Sequence, residues 1–506
     1  MSLLNGMFGL KEGRLTRGKR LPGPSGVPVF GSSPQLGKFT KIWDGFSELH
    51  EKYGSLVGVQ IGSRYCLLVN NVEDIKEILI NRATSFANRP DFLRFQAIFR
   101  WNRDLSVALS DWSTKQKTRR DILYGPLHPK GGVYLQTKIF DSISSQTILL
   151  IDFFREKNGE PLEPRWPILN AIGNVFYDFF CSKTFDWNDA VYLRTVNLYN
   201  EIFHELFQGF AIDFMPWLKP FYNKRLNELH ALEAEISKFN SGMITEHEQS
   251  AAAYEVEPRD ICDILVLYIN SAANCDAVKK IKLDRTDLAV IIGDLIGGFP
   301  VVSNMVLWGI YMLANEPEVQ NKLFEEYEVV CGSGIPGADH KKSLVYTEAT
   351  MYEILRMVCS PIIPHVATQN TELQGYHIPK DTMVMFNICD LNFNPELWDK
   401  PAKFMPDRFI CDGTLLKPDH FLPFGTGKRS CMGDGLVRHI VHLILSALIG
   451  QFRVRLAPST PAVDYLDARG RVIMETEPKL MFEQRLKAKT LWHEARTRFS
   501  WSFCGR

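Results

Sequence analysis

The sequence predicts a mainly α-helical fold with small β-sheets, because helical hydrophobic periodicity dominates and strand-like alternation is brief. Apolar residues recur at helical spacing from about Ile139 to Lys322, as in EIFHELFQGFAIDF (201–214). VGVQIGSRYCLLV, between Leu56 and Val69, alternates like a hairpin with Gly62-Ser63 near its turn. Shorter strand-like segments return between Gly375 and Phe386 and near the C-terminus.

Length and composition favour one large globular domain. The chain has 506 residues, of which 45% are hydrophobic and 23% charged, as is ordinary for a soluble protein. No linker, repeat or long charge run divides it, so we expect a single domain over residues 21–506, behind a short N-terminal segment, residues 1–20. The formal net charge is zero, which argues against nucleic-acid binding.

The ten cysteines are scattered, with no CxxC pair and no zinc-site spacing. A disulfide-stapled secreted fold and a structural zinc site are therefore not expected. A reducing environment facing the cytosol fits this pattern.

The N-terminal segment has two interpretations. MSLLNGMFGL is apolar over too few residues to cross a bilayer, and a basic patch and the proline-rich LPGPSGVPVFG follow it. The proline-rich stretch is either a stiff tethering loop or the neck behind a membrane anchor that is missing or minimal here.

An aromatic stripe at helical spacing comprises Phe203, Phe207, Phe210 and Phe214. MPWLKP follows, and we expect its two prolines to end the helix. Such a stripe is usually core, but beside an exposed Trp217 it could also roof a ligand pocket or touch a membrane.

The apolar stretch DLIGGFPVVSN (294–304) should be helical, yet glycines and a proline interrupt it. Gly297 and Gly298 are poor helix formers, and Pro300 lacks the N–H that would bond the carbonyl of Ile296. We therefore expect a local opening in one of the most buried helices.

The segment FLPFGTGKRSCMGDGLVRHIVHLILSALIG (421–450) places Cys431 after a glycine-rich loop and before an apolar helix. The helix N-terminus, Lys428 and Arg429 should favour the thiolate. Arg429 also offers a fork for a carboxylate. GTGKRS fails the phosphate-loop pattern. Axial ligation of haem iron is consistent with a loop that combines a thiolate, close-packed glycines and a guanidinium able to bind a carboxylate.

These residues resemble the cytochrome P450 superfamily. FGTGKRSCMG matches the signature FxxGxRxCxG through Phe424, Gly427, Arg429, Cys431 and Gly433. MYEILRM and FMPDRF resemble two further motifs of the superfamily, and the resemblance implies a buried ionic triad of Glu353, Arg356 and Arg408. It also implies a haem b held between a long distal helix and the proximal helix that carries Cys431, the iron ligand.

The same resemblance implies which residues contact the cofactor: Trp112, Gln116, Arg119, His365, Phe424, Gly425, Arg429, Cys431 and Gly433. Gln116 occupies a position where the family usually has arginine. Because Arg119 lies two helical turns after Trp112, we expect it to substitute at a propionate.

The distal helix of the family normally reads A/G-G-x-D/E-T-T/S, whose acid and alcohol relay protons to oxygen. With Gly297 and Gly298 at the small positions, Pro300 replaces the acid and Val301 the alcohol. Asn304, one turn further on, is a candidate polar substitute. Three explanations stay open: the enzyme rearranges a peroxide, a substrate hydroxyl with water supplies the proton, or activity is lost.

DLIGG, ALSDWSTKQKTRR and PHVATQN look like the Spook/Spookier group of arthropod P450s. That likeness implies a microsomal monomer on the cytosolic face of the endoplasmic reticulum, which oxidises a sterol derived from 7-dehydrocholesterol early in ecdysteroid synthesis. Alternatives are a general lipid or xenobiotic monooxygenase, and a haem-binding sensor or carrier without turnover.

The electron donor implied by the family is an NADPH-dependent cytochrome P450 reductase. The contacts we expect it to make are basic residues near the proximal side: Lys115, Lys117, Arg119, Arg120 and Lys428. By family position, an apolar pocket should be lined from residues 92–99, 203–214, 297–301 and 361–363.

Overall fold

A computed structural model describes residues 19–127, 133–255, 257–273, 283–332, 334–474 and 477–485. The predicted N-terminal segment, residues 1–20, lies almost entirely outside these ranges. The α-helices are α1 (Ser33–Leu36), α2 (Ile42–Tyr53), α3 (Val72–Lys76), α4 (Leu93–Ile98), α5 (Thr114–Leu127), α6 (Val133–Glu156), α7 (Arg165–Cys181), α8 (Ala190–Phe207), α9 (Ala211–Phe214), α10 (Lys219–Ser250), α11 (Ile261–Ala273), α12 (Arg285–Ile296), α13 (Phe299–Asn315), α14 (Pro317–Cys331), α15 (Val345–Val358), α16 (Ile388–Phe393), α17 (Asp434–Gln451) and α18 (Tyr465–Ala468).

Ten short strands accompany these helices, so the predicted fold class is confirmed. They are β1 (Leu56–Ile61), β2 (Arg64–Val69), β3 (His365–Val366), β4 (Thr371–Leu373), β5 (Tyr376–Ile378), β6 (Met383–Phe386), β7 (Ile410–Cys411), β8 (Thr414–Leu415), β9 (Phe452–Leu456) and β10 (Leu480–Gln484).

The largest sheet has the strand order β1-β2-β6-β3. Strands β1 and β2 form the predicted hairpin, with Leu56 opposite Val69, and Gly62 adopts φ +55° at the turn. Strand β6 lies parallel to β2 and antiparallel to β3. Three two-stranded antiparallel sheets pair β4 with β5, β7 with β8 and β9 with β10.

The aromatic stripe does not belong to one helix, which corrects the prediction. Helix α8 ends at Phe207, and Phe210 precedes the separate short helix α9. The prolines of MPWLKP begin turns instead of ending the helix: Pro216 opens a 3₁₀ turn and Pro220 lies in the first turn of α10. A proline at a helix start sacrifices no hydrogen bond, so both placements are favourable.

Helices α12 and α13 run through the core. Helix α13 packs against α7, α15 and α17, and nearly all its apolar residues are buried. Within the described ranges, residues 285–315 form the one stretch that is long and apolar enough to cross a membrane. In its most apolar 18-residue part, 67% is buried inside the protein. It is thus accounted for as a core element.

The predicted interruption separates these two helices at Gly297 and Gly298. Both glycines keep right-handed helical dihedral angles, with φ −58° and −76°. Pro300 occupies the first turn of α13, where its missing N–H is tolerated. The interruption therefore lies in the hydrogen-bond ladder and leaves the backbone conformation helical.

Candidate active site

The loop before α17 folds into a tight turn that presents Cys431. The backbone N–H of Cys431 donates to the carbonyl of Phe424 at 2.9 Å. Gly425 and Gly427 adopt φ +66° and +73°, a region that favours glycine. A Cβ on Gly427 would also collide with the carbonyl of Leu79, so the loop packs directly on neighbouring backbone.

Burial raises the pKa of the Cys431 thiol. The backbone N–H of Gly433 and the charge of Arg120 act in the opposite direction but are outweighed. Lys428 and Arg429 are engaged elsewhere: Lys428 donates to the hydroxyl of Thr84 at 2.7 Å. Cys431 nevertheless keeps accessible surface.

Three residues predicted at the haem propionates converge on consecutive residues of the segment 86–88. His365 Nδ1 lies 2.7 Å from the carbonyl of Phe86. Arg429 Nε donates to the carbonyl of Ala87 at 3.0 Å. The backbone N–H of Trp112 donates to the side-chain oxygen of Asn88 at 3.2 Å. The Arg429 guanidinium lies 5.2 Å from the centre of the Trp112 ring.

This region also gathers further arginines that motif reasoning did not assign to the cofactor, namely Arg89, Arg103 and Arg120. Arg89 is buried, and its pKa is lowered well below the usual range by burial and by Arg429, Arg120 and Arg103. Burial and Arg120 lower the pKa of Arg429 to about 10. Arg120 donates to the carbonyl of Ser430 at 2.7 Å. A lone arginine carries no sequence signal of burial, so Arg89 could not have been singled out.

One guanidinium nitrogen in this cluster, Nη1 of Arg429, is buried and has no hydrogen-bond partner within the described residues. Buried polar groups are normally paired, and the surrounding positive charge favours an anion. A carboxylate such as a haem propionate would satisfy both requirements. Gly433 lies directly beside the sulfur, since a Cβ there would be in ordinary van der Waals contact with Sγ of Cys431, at 3.9 Å.

Gln116 and Arg119 point away from this cluster, contrary to prediction. Gln116 Nε2 donates to the carbonyl of Val107. Arg119 pairs with Asp287 and donates to the carbonyl of Asp104 at 2.5 Å. Arg119 is occupied by Asp287 and the carbonyl of Asp104 instead of a propionate, and because it is 1% exposed it cannot serve as a docking residue. Arg120, the next residue, is the one that approaches the cysteine loop.

The segment 107–110 lies between these groups and is held through its backbone. Its four successive carbonyls each accept a hydrogen bond from a different buried side chain, namely Gln116, Arg89, Arg103 and Arg429 in chain order. Backbone acceptors hold a segment whatever its side chains are, so the segment is fixed at four consecutive points.

An apolar cavity of about 440 Å³ adjoins the interruption between α12 and α13. Its wall includes the predicted segments: residues from 92–99, 203–214 and 361–363, together with Gly297, Gly298 and Val301. Helices α10 and α12 also contribute, through residues such as Asn240 and Asp294, which the sequence did not identify.

The two residues that replace the acid and alcohol differ in position. Val301 lines the cavity, whereas Pro300 is buried outside its wall. Asn304 also lies away from the cavity, contrary to the prediction that it substitutes for the relay. Its Nδ2 donates to the carbonyl of Pro300 at 2.9 Å, and its Oδ1 faces the Arg165 guanidinium at 3.4 Å.

The ionic triad forms on the proximal side. Glu353 and Arg356 are fully buried and joined by two hydrogen bonds of 2.8 Å. Arg408 Nε lies 3.2 Å from the same carboxylate, which also accepts the backbone N–H of Met405 at 2.8 Å. The single carboxylate thus ties α15 to the segment that precedes β7.

Comparison with known proteins agrees with this architecture. The sequence model described as Cytochrome P450 matches residues 21–482. Cytochrome P450 307a1 of Drosophila melanogaster is 29% identical over 464 residues, which cover 86% of this chain and 83% of the relative. Steroid 17-alpha-hydroxylase/17,20 lyase of Rana dybowskii is 30% identical over 492 residues, covering 95% and 92%. Cytochrome P450 2U1 of Mus musculus is 30% identical over 416 residues, covering 80% and 76%.

The chain belongs to the cytochrome P450 family, whose members are haem-thiolate monooxygenases. The family binds haem iron through a cysteine thiolate, uses a redox partner and acts on hydrophobic substrates. An arthropod P450 stands among its relatives, in agreement with the resemblance to the arthropod Spook/Spookier group.

Proposed function

We propose that this chain oxidises a sterol-sized apolar molecule in an early step of ecdysteroid, or moulting-hormone, synthesis, with haem b held by Cys431. The observation that carries the cofactor assignment is the unpartnered Nη1 of Arg429 among buried arginines, beside the loop that presents Cys431. Arg429, His365 and Trp112 would hold the propionates, with Arg120 and Arg89 adding positive charge.

When bound, the haem supplies oxygen activation, with electrons from the redox partner. The chain itself contributes a ligand, an anion site and an apolar cavity. A metal ion deprotonates a thiol that coordinates it, which offsets the effect of burial on Cys431. Val301 and Pro300 carry no exchangeable proton, so proton supply at this part of the wall falls to water or to a hydroxyl of the substrate.

The iron ligand is tested by Cys431→Ala. The reduced carbon monoxide complex of the wild-type protein should give a red-shifted Soret band, and the variant should lack it. A variant that retains the band would exclude Cys431 as the ligand. Cys359→Ala is the matched control, because Cys359 is buried behind α15 and its thiol bonds the carbonyl of Arg356.

The substrate class rests on the apolar wall of the 440 Å³ cavity and on the steroid and arthropod relatives. Titration of the holoprotein with 7-dehydrocholesterol should shift the Soret band, and a long-chain fatty acid should shift it less. A response to the fatty acid alone would contradict the sterol assignment. Mass spectrometry after reconstitution with a reductase and NADPH would then identify the product.

A peroxide-rearranging enzyme is the second candidate, because Val301 stands where an alcohol normally relays protons. The two candidates are separated by the oxygen source. Product formed from a lipid hydroperoxide without reductase would select the rearranging enzyme. Product formed only with reductase, NADPH and dioxygen would select the monooxygenase.

For the redox partner we propose an NADPH-dependent cytochrome P450 reductase that docks on the proximal face. Lys428 adjoins the cysteine loop and is exposed, and Lys117 on α5 is exposed as well. Reversing both charges, with Lys117→Glu and Lys428→Glu, should raise the KM for reductase and leave the Soret spectrum unchanged. An unaltered KM would place the docking surface elsewhere.

Peripheral contact with the endoplasmic reticulum membrane, on its cytosolic face, is supported by an exposed apolar surface. Phe30, Trp217 and Phe221 are 49%, 38% and 84% exposed. Their segments adjoin the β1–β2 turn, since Gly62 donates to the carbonyl of Phe30 and Ser63 to that of Phe214. Trp217→Ser with Phe221→Ser should reduce flotation with phosphatidylcholine vesicles. Flotation equal to that of wild type would contradict this surface.

A further inference from the structure

The cavity wall contains one carboxyl group, that of Asp294 on α12, for which neither the family motifs nor the proposed chemistry supplies a role. Its Oδ2 accepts three hydrogen bonds from the segment 106–108: 2.8 Å from the hydroxyl of Ser106, 2.6 Å from the N–H of Val107 and 3.3 Å from the N–H of Ala108. Within the described residues, no hydrogen bond is recorded to Oδ1 of Asp294. Asp294 retains accessible surface where it lines the cavity.

The other ionic side chains of the wall are already paired. Both oxygens of Asp213 bind the Arg94 guanidinium, at 3.0 and 2.6 Å. Both oxygens of Glu233 lie 3.2 Å from Arg100 Nε. These groups are therefore engaged before any ligand enters.

The neutral polar side chains of the wall leave little capacity for a ligand. Asn240 donates to the hydroxyl of Tyr199 at 2.9 Å and faces the hydroxyl of Tyr177 at 3.4 Å. Ser237 accepts a hydrogen bond from Arg100. Gln208 is exposed and keeps its access to water. Among the carboxylate oxygens of the described cavity wall, Oδ1 of Asp294 is thus the one left without a hydrogen bond.

Asp294 lies one helical turn before Gly298, on the α12 side of the interruption. Burial raises the pKa of its carboxyl, while the three hydrogen bonds to Oδ2 and the charge of Arg119 oppose that rise. An apolar ligand with one hydroxyl must find a partner for it on entering the cavity, because an unpaired buried hydroxyl is costly.

We propose that Asp294 determines specificity by accepting, at Oδ1, a hydrogen bond from the single hydroxyl of an apolar polycyclic substrate. The inference rests on the proposed sterol-binding cavity and names the group that orients the ligand in it. Oδ2 meanwhile holds the segment 106–108 in place, so the two oxygens have separate tasks. A ketone at the same position can only accept hydrogen bonds, and it finds no donor at Oδ1.

The experiment compares two probes that differ in this one group, 5α-cholestan-3β-ol and 5α-cholestan-3-one, by Soret titration of the holoprotein. A hydrogen bond of ordinary net strength corresponds to a preference of about twofold to tenfold, so the wild type should bind the alcohol more tightly by about that factor. Equal dissociation constants for the two probes would overturn the inference.

Asp294→Asn sharpens the test, since asparagine can keep an oxygen toward the three donors of segment 106–108 and turn its NH₂ group to the cavity. The alcohol preference should fall to about one or reverse toward the ketone. A variant that keeps the wild-type ratio would overturn the assignment. Ser106→Ala is the control: it removes one bond to Oδ2, together with the bonds that Ser106 accepts from the N–H groups of Ala108 and Leu109, and leaves Oδ1 untouched, so both probes should change alike.

The outcomes also separate this inference from the function on which it rests. If both probes bind but without preference, Asp294 does not select the hydroxyl and the sterol cavity stands. If neither probe shifts the Soret band of a holoprotein with a normal carbon monoxide spectrum, the sterol proposal and this inference fail together.

Discussion

The proximal and distal sides of this P450 differ in how closely they follow the family pattern. On the proximal side lie the cysteine loop with the arginines beside it and the triad of Glu353, Arg356 and Arg408, together called the proximal unit. On the distal side, Val301 lines a cavity wall where the family pattern has a relay side chain. The cysteine loop and the triad carry the family's motifs, whereas Pro300 and Val301 depart from its acid–alcohol pattern.

The largest effect should come from breaking the proximal unit with Glu353→Ala. Removing one partner of a buried ion pair costs about 3–5 kcal/mol, because the other charges stay buried. Here two arginines and the N–H of Met405 would lose their acceptor. The free energy of unfolding, measured with urea, should fall by that amount.

The control is Asp121→Ala, which breaks only the exposed pair with Lys117 and should lower the free energy of unfolding by less than about 1 kcal/mol. Equal losses for the two variants would mean that the triad is not a stabilising centre.

A smaller but more selective effect is expected for the arginines. Arg429→Met should increase the rate of haem transfer to apomyoglobin about tenfold, since a charge-assisted hydrogen bond to a propionate is lost. Arg119→Met should leave that rate unchanged, because Arg119 binds Asp287 and the carbonyl of Asp104. Faster haem loss from Arg119→Met than from Arg429→Met would reverse the assignment of the two residues.

The smallest effects should appear on the distal side and depend on position in the wall. Val301→Thr places a hydroxyl in an apolar wall and should weaken 7-dehydrocholesterol binding about threefold. The effect stays small because the threonine hydroxyl can donate a hydrogen bond to the backbone carbonyl one helical turn earlier. Pro300→Ala lies outside the wall and should change the affinity less than about twofold. Soret titration measures both, and a larger change for Pro300→Ala would show that the α12–α13 interruption itself shapes the cavity.

The sequence predicted the proximal unit well because its motifs have fixed spacing. The residue types at 353, 356, 408 and 431 have few alternative explanations when they occur in that order, and the structure brings the first three into contact. The cavity segments were also predicted, since they follow from the family's chain order. Each of these is a relation between residue types along the chain, which a sequence displays directly.

What the sequence could not predict depends on which way a side chain turns. Arg119 and Arg120 are neighbours with the same chemistry, yet only Arg120 reaches the cysteine loop. Asn304 has the right spacing for a relay, but its amide bonds the carbonyl of Pro300. The thiol of Cys431 has cationic neighbours in sequence, while burial decides the direction of its pKa shift. The orientation and the burial of a side chain arise from tertiary packing, which the spacing of residues along the sequence does not encode.

The four carbonyls of segment 107–110 have a consequence for how the substrate range of this protein can change. Ala108 and Leu109 present their side chains to the cavity, while their carbonyls bind Arg89 and Arg103. Exchanging either side chain reshapes the cavity without altering the atoms that organise the arginines. Selection for a new ligand can therefore act on this segment independently of selection for cofactor retention, although the two functions share the same four-residue stretch of backbone.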